Sequence, residues 1–365
     1  MSKKNQTKLQ AIRNGLKQAF VERDMEVDAL LTGLISKQSS LLLGPPGTGK
    51  SAVVEALCST FSGNFFSALM SKFTTPEELF GPYSLKALEQ DRYERVTDGY
   101  LPTADVAFLD EVFKGSSAIL NTMLKVVNER VFINGGKQVK VPLQALFGAS
   151  NELPDGQELS ALYDRFVIRL YVDYVKSDDS FKAMLRLQNT QLPQLTMADL
   201  VAEQDAASKV SISDAMLDLY TKIRRDVKES GFTNVSDRKW VQALRVVQAS
   251  AHLNGRTVVI EEDFEVLENI IWHEPGQIRQ ARKVIAKSIN PASEKLFEIT
   301  DAIKEVYSLF VQKKIRPSEA NKKFKDAVKR LNDLNLKDNS KADELKKMIE
   351  QKHKAIVDAV MHGEE

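Results

Sequence analysis

Residues 41–51 read Leu41-Leu42-Leu43-Gly44-Pro45-Pro46-Gly47-Thr48-Gly49-Lys50-Ser51. An apolar run here ends in a glycine-rich turn, and a helix-forming stretch follows. The turn fits the pattern G-x-x-x-x-G-K-S/T, the signature of a phosphate-binding P-loop. A chance glycine turn before a helix is the alternative, but the complete motif in register with the apolar run favours the P-loop.

The residue types of this motif explain its chemistry. Glycines have no Cβ, so successive backbone N–H groups can turn inward around a polyphosphate. Lys50 is expected to reach the β- and γ-phosphates, and the Ser51 hydroxyl to ligate Mg²⁺. The N-terminus of the following helix adds its partial positive charge. The predicted nucleotide-binding residues are therefore Gly44, Pro45, Pro46, Gly47, Thr48, Gly49, Lys50 and Ser51.

The segment VAFLDE at residues 106–111 is the second decisive stretch. Four apolar residues run directly into two carboxylates, as in a buried parallel strand that ends at the ligand-binding edge of an open α/β sheet. Asp110 is predicted to hold Mg²⁺, directly or through water, and Glu111 to orient and polarise the attacking water. A strand that ends in a solvated acidic turn is the alternative. The position after a P-loop favours the magnesium site.

A third strand end also carries a polar side chain. Residues 143–149 predict a core strand that ends in SNE at residues 150–152. The Asn151 amide, beside Glu111, is predicted to hydrogen-bond the γ-phosphate or the water. A turn residue that satisfies its own backbone is the alternative for Asn151.

The other elements of the first half alternate between helix and strand. The spacing of apolar residues predicts helices within residues 1–38. In chain order we then predict the P-loop helix (50–61), a short buried strand (65–69), a helix beginning at 75–80, a hairpin inserted at 83–102, a helix (116–129), an Asn-Gly-Gly hairpin (130–142), a helix (159–164) that ends in Arg165, and a strand (167–172).

The composition is that of an ordinary globular protein. The 365 residues are 43% apolar and 28% charged, which suits two or three domains. A formal net charge of +1 gives no global field that would recruit nucleic acid. Without an apolar stretch of transmembrane length or a signal core, we expect a cytoplasmic protein with no membrane insertion. The single Cys58 reads as a small buried residue, and the four histidines have no metal-ligand spacing: His252, His273, His353 and His362.

The alternation of strand and helix stops after about residue 172. Residues 176–208 are polar and helical with breaks, so we interpret them as a linker. Residues 209–275 predict a helical domain with helices at 213–229, 237–253 and 260–272. Arg238 lies in the first turn of the second of these helices, just after a predicted Ser236 cap.

Residues 276–365 form a lysine-rich C-terminal arm in the sequence. Three apolar stripes at helical spacing predict a helical hairpin or a three-helix arm. We interpret the lysines as a solvated face rather than a nucleic-acid patch, because acidic residues are interspersed among them and aromatic residues are not.

The order of these motifs resembles that of the AAA+ ATPases, and in particular the MoxR branch with its RavA-type regulatory ATPases. The similarity covers roughly residues 10–275. It is carried by LMSKFTTPEELFGP (69–82), GYLP (99–102), FLDE (108–111), SNELP (150–154), YDRF (163–166) and SDRKW (236–240).

This resemblance implies an α/β fold with further all-α parts. The αβα nucleotide-binding core would occupy residues 1–175, with a helix-2 insert at 83–102 and a pre-sensor-1 hairpin at 130–142, before the helical lid at 209–275. It also implies ATP and Mg²⁺ as cofactors. RavA proper carries a β-rich module within its C-terminal helices, and no strand-rich stretch follows residue 275 here.

The resemblance also implies roles and partners. Glu111 and Asn151 would act on the attacking water, Arg165 would serve a neighbouring subunit as an arginine finger, and Arg238 would touch the γ-phosphate of its own subunit, with Arg130 as a second candidate in trans. Surface ion pairs are the alternative for Arg165 and Arg238. The implied assembly is a hexameric ring that works with a von Willebrand factor A domain protein on a protein client.

Two further functions are compatible with the motifs. A nucleic-acid motor is one, since the helix-2 insert also occurs in helicase-like relatives, but the neutral net charge disfavours it. A nucleotide-gated scaffold with incidental hydrolysis is the other. We favour an ATP-hydrolysing remodeller or complex-maturation factor.

Overall fold

The structure is a computed structural model that describes residues 3–187, 192–289, 291–312, 314–334 and 340–361. The chain forms two compact units. The first is made of residues 1–220 and 231–278, and the second of residues 221–230 and 279–365. The predicted core falls in the first unit, as does the predicted lid apart from residues 221–230, and most of the predicted arm falls in the second.

The first unit combines one mixed stretch of strands and helices with a helical end. Its elements are α1 (Lys3–Ala19), α2 (Asp24–Ser36), β1 (Ser39–Leu43), α3 (Lys50–Cys58), β2 (Phe61–Ser62), β3 (Phe65–Leu69), α4 (Pro76–Phe80), α5 (Leu85–Leu88), β4 (Val106–Asp110), α6 (Ser117–Glu129), β5 (Val131–Asn134), β6 (Lys137–Lys140), β7 (Ala145–Ser150), α7 (Gln157–Tyr163), β8 (Phe166–Tyr171), α8 (Asp178–Leu185), β9 (Leu195–Thr196), α9 (Met197–Ser208), the start of α10 (Asp214–Glu229), α11 (Asp237–Leu253) and α12 (Glu268–Ile271).

A five-stranded parallel sheet lies at the centre of this unit. Its order is β3-β4-β7-β1-β8, and every pairing is parallel. All residues of β1 and β7 are buried, as expected for inner strands of a parallel sheet. This confirms the predicted parallel α/β core. The carboxyl ends of β1, β4 and β7 consequently lie side by side at one edge.

The strand predicted at residues 65–69 is present as β3, but the prediction that it is buried is wrong. β3 is an edge strand of the sheet, and its side chains Phe65 and Leu69 are 41% and 69% exposed. An apolar run of five residues does not distinguish an edge strand from a central one.

The insert at residues 83–102 is not the β-hairpin that the sequence predicts. A single antiparallel bridge pairs Tyr83 with Arg95, and the tip between them is the short helix α5. The Ser84 hydroxyl caps this helix by accepting a hydrogen bond from the Ala87 N–H. An N-cap followed by good helix formers outweighs the weak strand pattern here.

The hairpin predicted at residues 130–142 is confirmed as β5 and β6. Its two turn residues, Gly135 and Gly136, both have positive φ, as a type I′ turn requires. Asn134 joins the hairpin to the preceding insert, because its side chain accepts a hydrogen bond from the Arg95 N–H and donates one to the Arg95 carbonyl. The two inserted segments are therefore held together.

The segment predicted as a linker contains packed structure. The two-residue strand β9 pairs with β2, and a capping box between Thr196 and Asp199 begins α9. Leu200 and Ala207 of α9 are buried, and Gln204 donates a hydrogen bond to the Leu34 carbonyl of α2 at 3.0 Å. The C-terminal part of residues 176–208 is thus integral to the first unit.

The helical end of the first unit departs from prediction at one place. α11 has the predicted bounds, and Ser236 caps it by accepting from the Lys239 N–H. The helix predicted at residues 260–272 is a 3₁₀ helix at Glu261–Leu267 followed by α12. The Asp263 carboxylate accepts the Ile260 N–H, which tightens this first turn.

The second unit is helical throughout its described residues. After the end of α10 it holds α13 (Ile278–Ile289), α14 (Pro291–Val311), α15 (Pro317–Asp333) and α16 (Ser340–Met361). The three predicted stripes form one apolar core whose buried residues are Leu296, Ile299, Ile303, Ala320, Phe324, Ala327, Leu331, Leu345, Ile349 and Ile356. The side chain of Val360, part of the predicted third stripe, and residue His362 lie outside the described residues. Within the described ranges, no helix is long and apolar enough to cross a bilayer.

Candidate nucleotide-binding site

The predicted site residues meet at the carboxyl edge of the central sheet. The P-loop follows β1, Asp110 ends β4, and Asn151 follows β7. Because these three strands are parallel and adjacent, their ends place the side chains next to one another. The structure therefore brings together the P-loop, the two acids and the amide that were predicted from separate stretches.

Lys50 lies in the middle of this group. Its Nζ donates hydrogen bonds to the carbonyls of Gly44 and Pro45 and to Asn151 Oδ1, each at 2.8 Å. Burial lowers the pKa of Lys50, and the nearby Asp110 and Glu111 carboxylates oppose that shift. An ammonium held by neutral oxygens can exchange these partners for the oxygens of a phosphate.

Ser51 and Asp110 form the predicted metal pair. The Ser51 hydroxyl donates to Asp110 Oδ2 at 2.7 Å. Two hard oxygen ligands at this separation suit neighbouring positions around one small cation, and Mg²⁺ in nucleotide sites characteristically takes few protein ligands plus phosphate and water. The described residues include no larger cluster of acidic, histidine or cysteine ligands. The pair fits Mg²⁺ that arrives with a nucleotide.

Glu111 is held in a strained backbone conformation beside the metal pair. Its φ is 52°, in the left-handed region, where a residue with a side chain costs about 1–3 kcal/mol. Glu111 Oε1 accepts a hydrogen bond from Asn151 Nδ2, and Oε2 lies 3.2 Å from Lys114 Nζ. Asn151 thus contacts both Lys50 and Glu111, which puts it between the phosphate-binding cation and the candidate base.

Two residues at the site were missed from the sequence. Arg23, between α1 and α2, is buried and donates to the carbonyls of Thr48, at 3.1 Å, and Asp173, at 2.6 Å. The Tyr174 hydroxyl donates to the Pro46 carbonyl at 3.1 Å. Both side chains bind P-loop carbonyls from outside the motif. No local pattern signals such contacts, because they depend on chain segments about 25 and 130 residues away.

Gly44 shows why the motif needs a glycine at its first position. A Cβ there would lie 2.0 Å from the Val172 carbonyl oxygen, and φ is +148°. The backbone just after β8 therefore approaches the P-loop too closely for any side chain.

The three predicted arginines lie elsewhere, around a common cavity of about 620 Å³. Arg130 follows α6, Arg165 precedes β8, and Arg238 lies in the first turn of α11. Other cations line the same cavity: Lys37, Lys140 and Arg245. None of its lining residues, all of them within the described part of the chain, is acidic. The cavity is a concentrated cationic surface.

This cationic cavity lies at the amino ends of β1 and β8, whereas the P-loop lies at the carboxyl end of β1. We call these two opposite sides of the sheet the cavity edge and the P-loop edge. Ser39, the first residue of β1, lines it and pairs with Phe166 at the start of β8. The P-loop follows the last residue of β1, and five strand residues at about 3.3 Å each span about 16 Å. Arg238 lies at this cavity with Arg165, and its contact with the γ-phosphate of its own subunit stays a prediction. It lies with Arg165 because α11 packs beside β8, an arrangement that the sequence order does not reveal.

The electrostatics of the cavity favour an anion. Burial lowers the pKa of Arg130 to about 10. Burial first, and the nearby Arg238 second, lower the pKa of Arg165. Among the described residues, buried Arg130 Nη1 and Arg165 Nε have no hydrogen-bond partner. A buried unsatisfied donor is costly, so an acceptor from outside the chain would bind these guanidinium groups favourably.

Comparison with known proteins decides the family. Residues 7–207 match the family model for the MoxR domain in the MoxR-vWA-beta-propeller ternary systems, and residues 215–285 match the AAA lid domain. The chain belongs to the MoxR family of AAA+ ATPases. Its two matched regions meet between α9 and α10, so the family model assigns α9 to the MoxR domain.

Several relatives of this MoxR-family chain cover most of its length. An uncharacterised protein of Methanocaldococcus jannaschii is 41% identical over 77% of this chain and 76% of its own, and a second from the same organism is 39% identical over 82% and 79%. The chaperone MoxR1 of Mycobacterium tuberculosis is 25% identical over 71% of this chain and 73% of its own.

A solved structure agrees with the AAA+ fold of this MoxR-family chain. The crystal structure of a candidate ATPase from Cytophaga hutchinsonii superposes with a TM-score of 0.61 at 20% identity. The match covers 79% of this chain and 96% of that one.

Proposed function

We propose that this MoxR-family protein hydrolyses ATP at sites composed of two neighbouring subunits. One observation carries the proposal: the P-loop and the cationic cavity lie at opposite edges of the same sheet, about 16 Å apart along β1. Among the described residues, neither edge holds a full set of groups for phosphoryl transfer. A second copy would supply the missing set.

The P-loop edge would bind the nucleotide and prepare the water. Lys50 would exchange its carbonyl partners for the β- and γ-phosphate oxygens, and Ser51 with Asp110 would hold Mg²⁺. When bound, Mg²⁺ neutralises charge on the phosphate oxygens. Glu111 accepts a proton from the attacking water, and Asn151 orients that water between Glu111 and Lys50.

The cavity edge would complete the site of the next subunit. Arg165 and Arg238 supply positive charge where the transferring phosphoryl group becomes most negative. Arg130, with an unsatisfied Nη1, is a further contributor from the same face. Such head-to-tail pairing of two different faces generates a closed ring when the rotation allows it, and the family resemblance favours six subunits.

The wider role proposed is a chaperone-like remodeller or maturation factor acting on a protein client. The name of the matching family model supports a von Willebrand factor A domain partner, and MoxR1 is a chaperone by name.

The test is hydrolysis as a function of protein concentration. Turnover per subunit should rise as subunits associate, and Arg165→Ala should bind ATP normally but hydrolyse it about 1,000-fold or more slowly. Turnover that is independent of concentration across the assembly range would contradict composite sites.

A further inference from the structure

One ion pair joins the two segments that carry the cavity arginines. Asp164 directly precedes Arg165, and Lys239 directly follows Arg238. Lys239 Nζ lies 2.9 Å from Asp164 Oδ1. The pair links the chain just before β8 to the first turn of α11. It therefore sets how far apart Arg165 and Arg238 can lie.

Lys239 carries its charge in an unusually buried position. Its side chain is 1% exposed, whereas that of Asp164 is 40% exposed. Lysine is rarely buried, because removing an ammonium from water is expensive even when a partner is present. A methionine would fill such a position at lower free energy.

The charged surroundings make the position still less favourable for a cation. Arg169 is fully buried, donates to the Trp272 carbonyl at 2.6 Å, stacks on the Tyr163 ring at 4.0 Å, and lies 3.9 Å from Asp164. The titratable and charged groups that act on Lys239 are Asp164, Arg165 and Arg169, and Lys239 acts in turn on His273. Cations thus outnumber the one carboxylate, Asp164.

The two cavity arginines, Arg165 and Arg238, repel each other. Arg238 lowers the pKa of Arg165, which means that the two guanidinium groups oppose each other's charge. Arg238 is otherwise exposed, with a hydrogen bond to Asn128 Oδ1 at 3.1 Å. Two like charges on separate segments drift apart unless something fixes the segments.

We propose that Lys239 and Asp164 are positioning residues that hold Arg165 and Arg238 side by side as one receptor for the triphosphate of the neighbouring subunit, with Arg169 steadying Asp164 from within the core. This inference rests on the proposed composite site. In this proposal the geometry of the cavity edge depends on a buried ion pair and not on the arginines alone.

The pH dependence follows from the burial of Lys239. Burial, with Arg169 next in size, lowers the pKa of Lys239 to about 8. The ion pair is therefore intact below about pH 8 and is lost as the pH rises through that value. The folded pKa is below the ordinary value of 10.5, so the unfolded chain binds more protons between these values. The contribution of Lys239 to the unfolding free energy accordingly increases with pH over the range in which the pair breaks.

As the pH rises through the pKa of Lys239, turnover should therefore fall while the contribution of Lys239 to the unfolding free energy increases. Turnover of the wild-type assembly should fall between pH 7 and about pH 9. Lys239→Met should hydrolyse ATP about 100-fold more slowly at pH 7, since misplacement of a catalytic group by about 1 Å has this effect. The rate of this variant should not change over the same pH range. Its ATP affinity should equal that of the wild type, and its melting temperature should be no lower. Lys182→Met is the matched control, because it removes an exposed lysine of the Lys182–Asp179 pair and should leave all four properties unchanged.

Mixing subunits tests where the defect lies. Lys239→Met subunits keep an intact P-loop edge, and Glu111→Gln subunits keep an intact cavity edge. Their mixture should recover activity, because Glu111→Gln neighbours serve the Lys239→Met sites. If Glu111→Gln restores activity to Arg165→Ala subunits but not to Lys239→Met subunits, the positioning role is overturned and the composite site is not. If Glu111→Gln restores activity to neither variant although the subunits exchange, the composite site itself is overturned. A pH profile of Lys239→Met that parallels the wild type, or a large loss of melting temperature, also overturns the positioning role.

Discussion

The substitution Glu111→Gln separates nucleotide binding from hydrolysis at this site. Glu111 contacts Asn151 through Oε1 and Lys114 through Oε2, whereas the Ser51–Asp110 pair involves neither atom. An amide of the same shape keeps the contact with Asn151 possible and leaves the metal pair intact. It removes the negative charge and the ability to accept a proton from water.

The structure sets the size of each effect. Loss of a general base slows proton transfer by about 100- to 10,000-fold, equal to about 3–5 kcal/mol in the barrier. The lost ion pair is modest, because the Lys114 side chain is 45% exposed and such pairs contribute about 0–1 kcal/mol. Turnover should therefore collapse while the melting temperature shifts by only a few degrees at most.

The assay is phosphate release at saturating ATP, with ATP affinity measured by calorimetry on the same protein. Glu152→Gln is the matched control, because Glu152 is an exposed acid that follows the neighbouring strand β7 at the same end of the sheet. Glu111→Gln should bind ATP as the wild type does, and Glu152→Gln should match the wild type in both measurements. Hydrolysis by Glu111→Gln within about threefold of the wild type would refute the role of Glu111 as base.

Three further substitutions test other parts of the structure. Glu111→Gly should raise the unfolding free energy by about 1 kcal/mol, because glycine adopts the left-handed backbone without strain, and should abolish hydrolysis; chemical denaturation checks the first effect. Gly44→Ala should abolish ATP binding in calorimetry, because its Cβ would lie 2.0 Å from the Val172 carbonyl oxygen. Phe324→Ala in the full chain should destabilise the core of the second unit by about 3–5 kcal/mol without changing ATP affinity, which a thermal melt with and without ATP would reveal.

The sequence predicts those parts of the site that local pattern determines. A P-loop, an acidic strand end and an amide at a third strand end each have a signature within a few residues. The parallel order of β1, β4 and β7 then necessarily brings Lys50, Asp110 and Asn151 together. Hairpin β5–β6 was predictable for the same reason, since its two glycines specify the turn.

The parts that the sequence does not predict depend on contacts between distant segments. Sequence order does not reveal that α11 packs beside β8 and places Arg238 with Arg165 around one cavity. Arg23 acts on the P-loop only because the turn between α1 and α2 lies against it. The helical tip of the insert was missed because the Ser84 cap acts within one turn and is weak in sequence.

The central claim is that each active site is shared between two subunits. Arg165→Ala lacks the group given to a neighbour, and Glu111→Gln lacks the base in its own P-loop edge. Each variant alone should be nearly inactive. Mixed in equal amounts under conditions in which subunits exchange, they should recover a substantial part of wild-type turnover, because sites with both Glu111 and a neighbour's Arg165 then exist. A mixture that remains inactive while subunit exchange is demonstrated would contradict the account.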